Sequence, residues 1–485
     1  MTDAAVVGTG PNGLAAAVTL ARAGLKVALY EKADTIGGGL RSAPLFDRDV
    51  THDICSAVHP MAAASSFFRR FDLPARGVRL LQPDVPYAHP LPDGDAAAAW
   101  RCLERTAEHL GADGRRWTRL MGPLAARSRA VTDLLLSDQR TLPRDPLATL
   151  LLATRVPAHA LPRSPFRGER ARALLAGVAA HAVGRLPSLT SSAVAMLLAH
   201  TAHSSGWPLP EGGSARIADA LAADITAHGG VFHTGHHVQD LAELGPVPIV
   251  LLDVSPKELL RVAGPRLPDR YARALRRFRY GPGAAKADFL VDGPVPWRNP
   301  LVGRAGTVHL GGTREDVHRQ ETATAAGRAV ADPFVLVVDP AVTDPSRAVR
   351  GRRPVWAYAH VPHGDTRDPV DMIRRRIEQY APGFGDTVIA SRGLSAAQYE
   401  AYNPNYVGGD IAAGAMDLRQ ALARPALRLD PYSTPLPGVY LCSASTPPGP
   451  SVHGMCGHLA ALSALRRHHG VRTPPDLSPA KKELI

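Results

Sequence analysis

Three glycines near the start of the chain have the spacing of a turn that binds a dinucleotide. They are Gly8, Gly10 and Gly13, and the acid Glu31 ends the next apolar run. In such a turn the first glycine permits a sharp bend, the second lets the backbone approach a pyrophosphate, and the third lets a helix pack on the sheet. The helix start directs N–H donors at the phosphates, and the acid accepts hydrogen bonds from a ribose. The pattern therefore predicts a dinucleotide site.

The segments around these residues predict the elements that would position them. An apolar strand at 5–7 precedes the turn, a helix runs from Pro11 to about Ala23, and a second strand at 27–30 leads into the acid. A tight turn in an ordinary α/β unit is the alternative interpretation. We favour the dinucleotide site because strand, turn, helix and acid occur in the order that it requires.

Three consecutive glycines, 37–39, and Arg41 follow this unit. The glycines suggest backbone packed against a ligand, with Arg41 available to an anionic group. A flexible surface loop is the alternative.

The rest of the chain predicts two kinds of sheet and a helix-rich insertion over 101–201. Strand and helix alternate again beyond residue 206, which suggests a nucleotide-binding domain interrupted by that insertion. We expect Ser214 to cap a helix over 214–228 and the segment 471–485 to form a frayed tail. The other predicted elements are strands of the first sheet at 231–234, 249–252 and 438–442, antiparallel strands at 280–292, 333–339 and 356–361, and a helix over 452–469.

Composition excludes several classes of protein. The formal charge is +12, yet six of the 56 basic residues are lysine and the arginines are scattered, so a bias toward GC-rich codons explains the charge better than nucleic-acid binding. The four cysteines form no CxxC pair, which argues against a metal finger and a redox disulfide. No apolar run approaches the roughly 20 residues that span a bilayer. We therefore expect a cytoplasmic protein, and peripheral membrane contact through a partly apolar segment stays open.

Further motifs carry a resemblance to a known family. With the glycine pattern and Glu31 they make the chain similar to the phytoene-desaturase-like flavoproteins, on the branch that includes pyridine nucleotide-disulfide oxidoreductase domain-containing protein 2. The family belongs to the wider amine-oxidase-like superfamily. These motifs are the glycine pair 37–38, Trp297 after 293–296, and the segments 402–410, 440–449 and 452–457.

The resemblance implies an α/β fold with a discontinuous Rossmann-like FAD-binding domain and a substrate domain of mixed sheet and helices. It implies FAD as the cofactor and no metal. The expected domains are 1–75, 206–265 and 430–470 for FAD, with 76–205 and 266–429 for substrate. The implied cofactor-binding residues are Gly8, Gly10, Asn12, Gly13, Glu31, Gly38, Arg41, Val238, Ala444, His453, Gly454 and Met455.

Three residues are candidates for catalysis, each with a structural alternative. Related amine oxidases place a lysine on a substrate-domain strand near the flavin, and Lys286 has that position by topology, although a solvent-facing strand lysine is the favoured interpretation. His453 would act as a cation or base beside the flavin, or simply cap the helix that follows. His59 would face the substrate, or have the structural role that we favour.

The expected function is an FAD-dependent dehydrogenase or desaturase that acts on a lipophilic substrate, such as an isoprenoid or carotenoid-like molecule. A flavin amine oxidase is one alternative, and a weakly catalytic flavin-binding protein that acts through protein partners is another. There is no second glycine fingerprint for a nicotinamide cofactor. Electrons would therefore leave to oxygen, a quinone or another diffusible acceptor.

Overall fold

The computed structural model describes residues 2–138 and 143–479. Its strands fall into two large sheets and two short strand pairs. In chain order they are β1 (Ala4–Val7), β2 (Val27–Tyr30), β3 (Ser42–Pro44), β4 (Thr51–Asp53), β5 (Leu80–Leu81), β6 (Val85–Pro90), β7 (Ala96–Ala99), β8 (Leu209–Pro210), β9 (Val231–His233), β10 (Ile249–Leu252), β11 (Gly283–Asp292), β12 (Ala305–Leu310), β13 (Val335–Val338), β14 (Arg352–Val361), β15 (Val388–Leu394) and β16 (Val439–Leu441).

The helices cover the faces of both sheets. In chain order they are α1 (Pro11–Arg22), α2 (Pro60–Ala64), α3 (Ser66–Phe71), α4 (Leu103–His109), α5 (Gly114–Ala126), α6 (Ser128–Leu135), α7 (Pro146–His159), α8 (Glu169–Ala179), α9 (Leu189–Ala202), α10 (Ala215–Ala227), α11 (Pro256–Ala263), α12 (Asp269–Arg276), α13 (Arg314–Ala325), α14 (Val370–Glu378), α15 (Phe384–Thr387), α16 (Ala396–Tyr402), α17 (Leu418–Leu422) and α18 (Met455–His469). Among the described helices, none combines the length and the apolar character needed to cross a bilayer.

The first sheet is parallel and has the order β16-β10-β1-β2-β9. Its strands are short apolar runs because helices cover both faces: α1, α10 and α18 pack on one face, and α11 and α12 on the other. All strands end at the same edge, where the turn after β1 lies. The predicted parallel strands are confirmed, as are the predicted helices over 214–228 and 452–469, which are α10 and α18.

The second sheet has the order β15-β11-β14-β13-β12-β6-β7, and its neighbours are antiparallel except for the parallel pair β12 and β6. One face packs against α14 and α15. The helix-rich segment, with α5, α7, α8 and α9, forms an apolar layer over part of the other face. The predicted antiparallel sheet is therefore confirmed.

Several element boundaries differ from the prediction, among them the start of β14, which is Arg352 rather than residue 356. The C-terminal helix begins at Met455, because Ser451 and Gly454 have φ angles of 113° and 69° and form a turn before it. Strand β11 begins at Gly283 rather than residue 280.

The prediction of a frayed tail is wrong for the described residues 471–479. Leu477 is fully buried in the core around α1 and α3. Arg70 donates to the carbonyl of Pro475 at 2.6 Å, and Arg76 donates to that of Leu477 at 3.1 Å. One buried leucine and two arginine bonds therefore fix the segment; residues 480–485 lie outside the described part.

Candidate functional site

The turn after β1 has the close packing that its glycines predict. Gly8 has a φ of 93°, which disfavours any residue with a side chain. A Cβ on Gly13 would overlap the carbonyl oxygen of Gly8, so α1 can begin this close to the strand only with glycine there. The turn therefore packs closely at the carboxyl edge of the sheet.

The first turn of α1 offers few backbone donors. Pro11 has no N–H, and the N–H of Gly13 donates to Asp253 Oδ2 at 2.8 Å. The side-chain oxygen of Asn12 is buried, with no hydrogen-bond partner among the described residues. Such an orphaned acceptor beside the glycine turn fits a missing ligand that donates a hydrogen bond, such as a hydroxyl group.

Glu31 lies against the same turn. Its Oε2 accepts from the backbone N–H of Thr9 at 3.0 Å and from the Thr9 hydroxyl at 2.6 Å. Its Oε1 accepts from Arg41 at 3.0 Å. The carboxylate is thus held at the edge where a ribose would approach, with Arg41 directly beside it.

The glycine triplet is packed backbone, so a flexible loop does not describe it. Gly38 begins a short 3₁₀ helix, Gly38–Leu40, and a Cβ on it would lie 2.9 Å from the Cα of Gly10. The guanidinium of Arg41 donates to the phenol oxygen of Tyr402 at 3.3 Å as well as to Glu31. The glycine turn Gly8–Gly13 and the glycine triplet 37–39 therefore pack together and form one wall of the site.

The C-terminal motif reaches this wall through α18. Met455 is the first residue of the helix and Gly454 its N-cap, while Ala444 lies in the loop after β16. Gly457 sits so close to α1 that a Cβ there would overlap the carbonyl oxygen of Asn12. The two ends of the chain therefore meet at the start of α1.

His453 is a neutral cap in this structure. Its Nδ1 accepts from the N–H of Met455 at 2.9 Å, so Nε2 carries the hydrogen and donates to the carbonyl of Gly449 at 3.0 Å. Burial lowers the pKa of His453 to about 4. The geometry matches the capping alternative, and a role as base stays a prediction.

Val238 is buried in the apolar cluster between the first sheet and α11. Its carbonyl oxygen accepts from Arg261 at 3.0 Å. The backbone preceding it runs beside the acid, since the N–H of His236 donates to the Glu31 carbonyl at 2.8 Å. Its contact with an adenine stays a prediction.

Lys286 is fully buried, and the favoured interpretation of a solvent-facing lysine is wrong. Its ammonium group forms an ion pair with Asp288, two residues further along β11, and donates to the carbonyl of Asp53 at 3.0 Å. Residues two apart share a face of a strand, which is why the pair forms. The face is covered on this side by β4, so no solvent reaches the lysine.

His59 is joined to Asp53 through Ser214. The predicted N-cap role of the Ser214 side chain is wrong, because its hydroxyl donates to the carbonyl of Ser56 at 2.6 Å and so accepts from His59 Nε2 at 2.8 Å. The Ser214 N–H donates to Asp53 Oδ1 at 2.8 Å. Burial lowers the pKa of His59 to about 4. His59 and Lys286 thus belong to one network around Asp53.

The motif at 402–410 packs against the end of β10 and against the glycine triplet, a role that the sequence did not predict. The side chain of Asn405 accepts from the N–H of Ser255 at 2.7 Å and donates to the carbonyl of Asp253 at 3.2 Å. The Tyr406 hydroxyl lies 2.6 Å from where a Cβ on Gly39 would be. The motif therefore fixes both β10's end and the glycine triplet.

A cavity of about 650 Å³ opens between these segments and the second sheet. Arg41, Ile54, Asp288, Arg392 and Tyr402 are among its lining residues. Its size suits a small molecule or part of a cofactor. Glycine turn, Glu31 and orphaned Asn12 together fit a dinucleotide such as FAD, while the role of each predicted residue stays a prediction.

Comparison with known proteins agrees with this geometry. Residues 6–71 match the model of the NAD(P)-binding Rossmann-like domain. Pyridine nucleotide-disulfide oxidoreductase domain-containing protein 2 of Rattus norvegicus is 27% identical over 300 residues, which cover 54% of this chain and 51% of the relative. Phytoene desaturase (lycopene-forming) of Pseudescherichia vulneris is 28% identical over 151 residues, 29% of this chain and 30% of the relative. The chain thus spans about half the length of the first relative.

A solved structure of putrescine oxidase, carrying a single substitution from a redesign of its cofactor binding, has the same fold. It superposes with a TM-score of 0.59 at 17% identity, over 96% of this chain and 99% of that one. The resemblance predicted from the sequence is confirmed. The chain carries an N-terminal Rossmann-like dinucleotide-binding unit in an amine-oxidase-like fold, and its sequence relatives include a phytoene desaturase.

Proposed function

We propose that the chain is an FAD-dependent oxidoreductase of the dehydrogenase or desaturase type with a lipophilic substrate. The observation that carries this proposal is the single wall built by the turn at Gly8–Gly13, the glycine triplet and the start of α18. A nicotinamide cofactor alone would not need the C-terminal motif. The names of the relatives, a phytoene desaturase among them, and the shared fold support FAD.

Bound FAD would supply a hydride acceptor, and the chain's own residues would hold it. The turn would bind the pyrophosphate, Glu31 the ribose, and Gly38 with Arg41 the neighbouring part of the cofactor. The N-terminal end of α18 carries a partial positive charge, which stabilises negative charge close to it. A lipophilic substrate is supported by the name of one relative, a phytoene desaturase, and oxygen or a quinone would take the electrons.

Oxidation of an amine is the second candidate. It is favoured by one observation, the buried Lys286 on a strand of the second sheet in a fold shared with putrescine oxidase. A flavin-binding role with little turnover, exerted through protein partners, is the third.

Substitution Gly13→Ala tests the cofactor assignment. We expect the wild-type protein to be isolated yellow, or to become yellow with added FAD, and the variant to lose flavin because the new Cβ meets the Gly8 carbonyl. Gly303→Ala is the control, since Gly303 is exposed and a Cβ there would make an ordinary contact of 3.5 Å with Trp297 Cδ1. Absorbance of the gel-filtered proteins is the measurement. A wild-type protein that stays colourless after reconstitution contradicts the proposal.

Anaerobic mixing with candidate substrates then separates the three functions. Bleaching of the flavin by an acyclic polyene in detergent supports the dehydrogenase, and bleaching by a diamine supports the amine oxidase. A flavin that neither compound class reduces, in a protein that still binds FAD, supports the weakly catalytic role.

Substitution His453→Asn tests the neutral cap. We expect a loss of about 1–2 kcal/mol in the free energy of unfolding, since a buried hydrogen-bonded group is replaced by a shorter one. The pH dependence of the flavin midpoint potential near neutrality should not change, because the imidazole is uncharged there. Urea unfolding and a dye-coupled redox titration measure the two effects. If the midpoint potential of the wild-type protein shows a pH dependence that is lost in the variant, His453 is charged near neutrality and the neutral cap is contradicted.

A further inference from the structure

Asp253 lies beneath the pyrophosphate-binding turn and cannot move away from it. It follows β10 directly, its N–H donates to the Val7 carbonyl at 2.8 Å, and its own carbonyl accepts from Asn405. Its Oδ2 accepts from the N–H of Gly13 and lies 2.7 Å from where a Cβ on Gly10 would be. The backbone of the residue is therefore fixed on both sides, and its carboxyl group faces the turn.

The groups that act on this carboxyl group carry no positive charge. They are the carboxylate of Glu31 on the segment after β2, the thiols of Cys442 beyond β16 and Cys456 on α18, and the phenol of Tyr406. The described residues place no lysine or arginine in contact with it. Burial raises the pKa of Asp253 to about 7, although the N–H of Gly13 lowers it, and the charge of Glu31 adds a smaller upward shift.

A dinucleotide brings a negatively charged pyrophosphate to this turn. An ionised carboxylate there would repel it, whereas a carboxylic acid has a proton to donate. Pro11 has no N–H and the N–H of Gly13 is already used, so two of the first three residues of α1 offer no backbone donor to a ligand. The bond from Gly13 occupies Oδ2, and Oδ1 has no hydrogen-bond partner among the described residues, so a proton on Oδ1 would be available to a ligand at the turn.

We propose, resting on the proposed function, that Asp253 binds the pyrophosphate of FAD as a neutral carboxylic acid and donates its proton to a phosphate oxygen. No bond to carbon or phosphorus changes. Binding of FAD by the ionised protein then takes up one proton from solution, and the cofactor keeps Asp253 protonated at pH values where the free protein has lost that proton.

Titration of FAD into flavin-free protein, followed by quenching of flavin fluorescence, tests this coupling. For the wild-type protein we expect a Kd that is constant below about pH 7. Above it the Kd should rise about tenfold per pH unit, because each unit lowers the population of protein with a neutral Asp253 about tenfold. Asp253→Asn keeps the acceptor for Gly13 and adds a permanent donor, so its Kd should stay near the low-pH wild-type value throughout. His236→Gln is the control, since it replaces a neighbouring imidazole on the segment beside Glu31, and it should keep the wild-type slope.

Calorimetry of the wild-type protein in two buffers of different ionisation enthalpy needs no variant. We expect uptake of nearly one proton per FAD at about pH 8. Absent uptake, or a slope that persists in Asp253→Asn, overturns the inference and leaves the FAD assignment intact. If no protein binds FAD at any pH, the proposed function fails and this inference with it.

Discussion

Substitution Gly457→Ala should destabilise the protein by at least about 2 kcal/mol and release the cofactor, since overpacking of a close contact costs about 1–3 kcal/mol and the clash here is with rigid backbone. Helix propensity predicts the opposite sign, because alanine inside a helix is more favourable than glycine by about 1 kcal/mol. Gly457 lies in the first turn of α18, where a Cβ would overlap the carbonyl oxygen of Asn12. We expect the clash with Asn12 to outweigh the gain in helix propensity, because α1 and α18 cannot separate without moving the glycine turn.

Gly303→Ala is the control for this experiment. Gly303 is exposed in the 3₁₀ helix Val302–Arg304, and a Cβ there would make an ordinary contact of 3.5 Å with Trp297 Cδ1. The control should gain a few tenths to about 1 kcal/mol, because alanine leaves the unfolded chain less conformational freedom than glycine. Urea unfolding and flavin content of both variants are the measurements. If both variants gain stability equally, the helix crossing is looser than the structure shows.

Substitution Lys286→Met should lower the free energy of unfolding by about 3–5 kcal/mol, because it leaves the carboxylate of Asp288 buried without its cation. The double variant Lys286→Met/Asp288→Leu should recover most of this loss, since an apolar pair of similar volume replaces the ion pair. Thermal and urea unfolding of the two single variants and the double variant give the coupling energy.

The double variant also separates structure from chemistry at Lys286. If the lysine promotes reoxidation of reduced flavin, the double variant will be stable yet react slowly with oxygen. If its role is structural, stability and the rate of reoxidation will both be close to wild type. Stopped-flow absorbance of the photoreduced protein mixed with oxygen measures the rate. Loss of stability in the double variant equal to that in Lys286→Met would contradict the ion-pair explanation.

The sequence predicted the first unit well because its signals are local. Apolar strands, a glycine turn and an acid at one spacing specify β1, α1 and β2, and the period of two specified β14. The position of Asp253 also had a local signal: it follows an apolar strand that we placed in the parallel sheet, and ligands bind at the carboxyl ends of such strands. Its contact with Gly13 depends on which strands are neighbours, and no local pattern specifies that order.

Burial was harder to predict than secondary structure. The solvent-facing interpretation of Lys286 rested on its charge, but the partner was visible, since Asp288 shares its face of the strand. The buried tail had no such signal, because the pocket that takes Leu477 is formed by residues near α1 and α3. Asn405 and Tyr406 stood in a recognised motif, yet their contacts with β10's end and the glycine triplet join segments far apart in the chain.

The crossing of α1 and α18 has a consequence for synthesis of the chain. A ribosome releases β1 and α1 first, but β10 and β16 lie at residues 249–252 and 439–441, and α18 follows them. A fold dominated by such distant pairings forms slowly, and its early segments stay unpartnered until the last ones emerge. Cofactor capture at this site therefore requires that α18 has been synthesised, and a nascent chain that ends before α18 will expose the apolar side of α1.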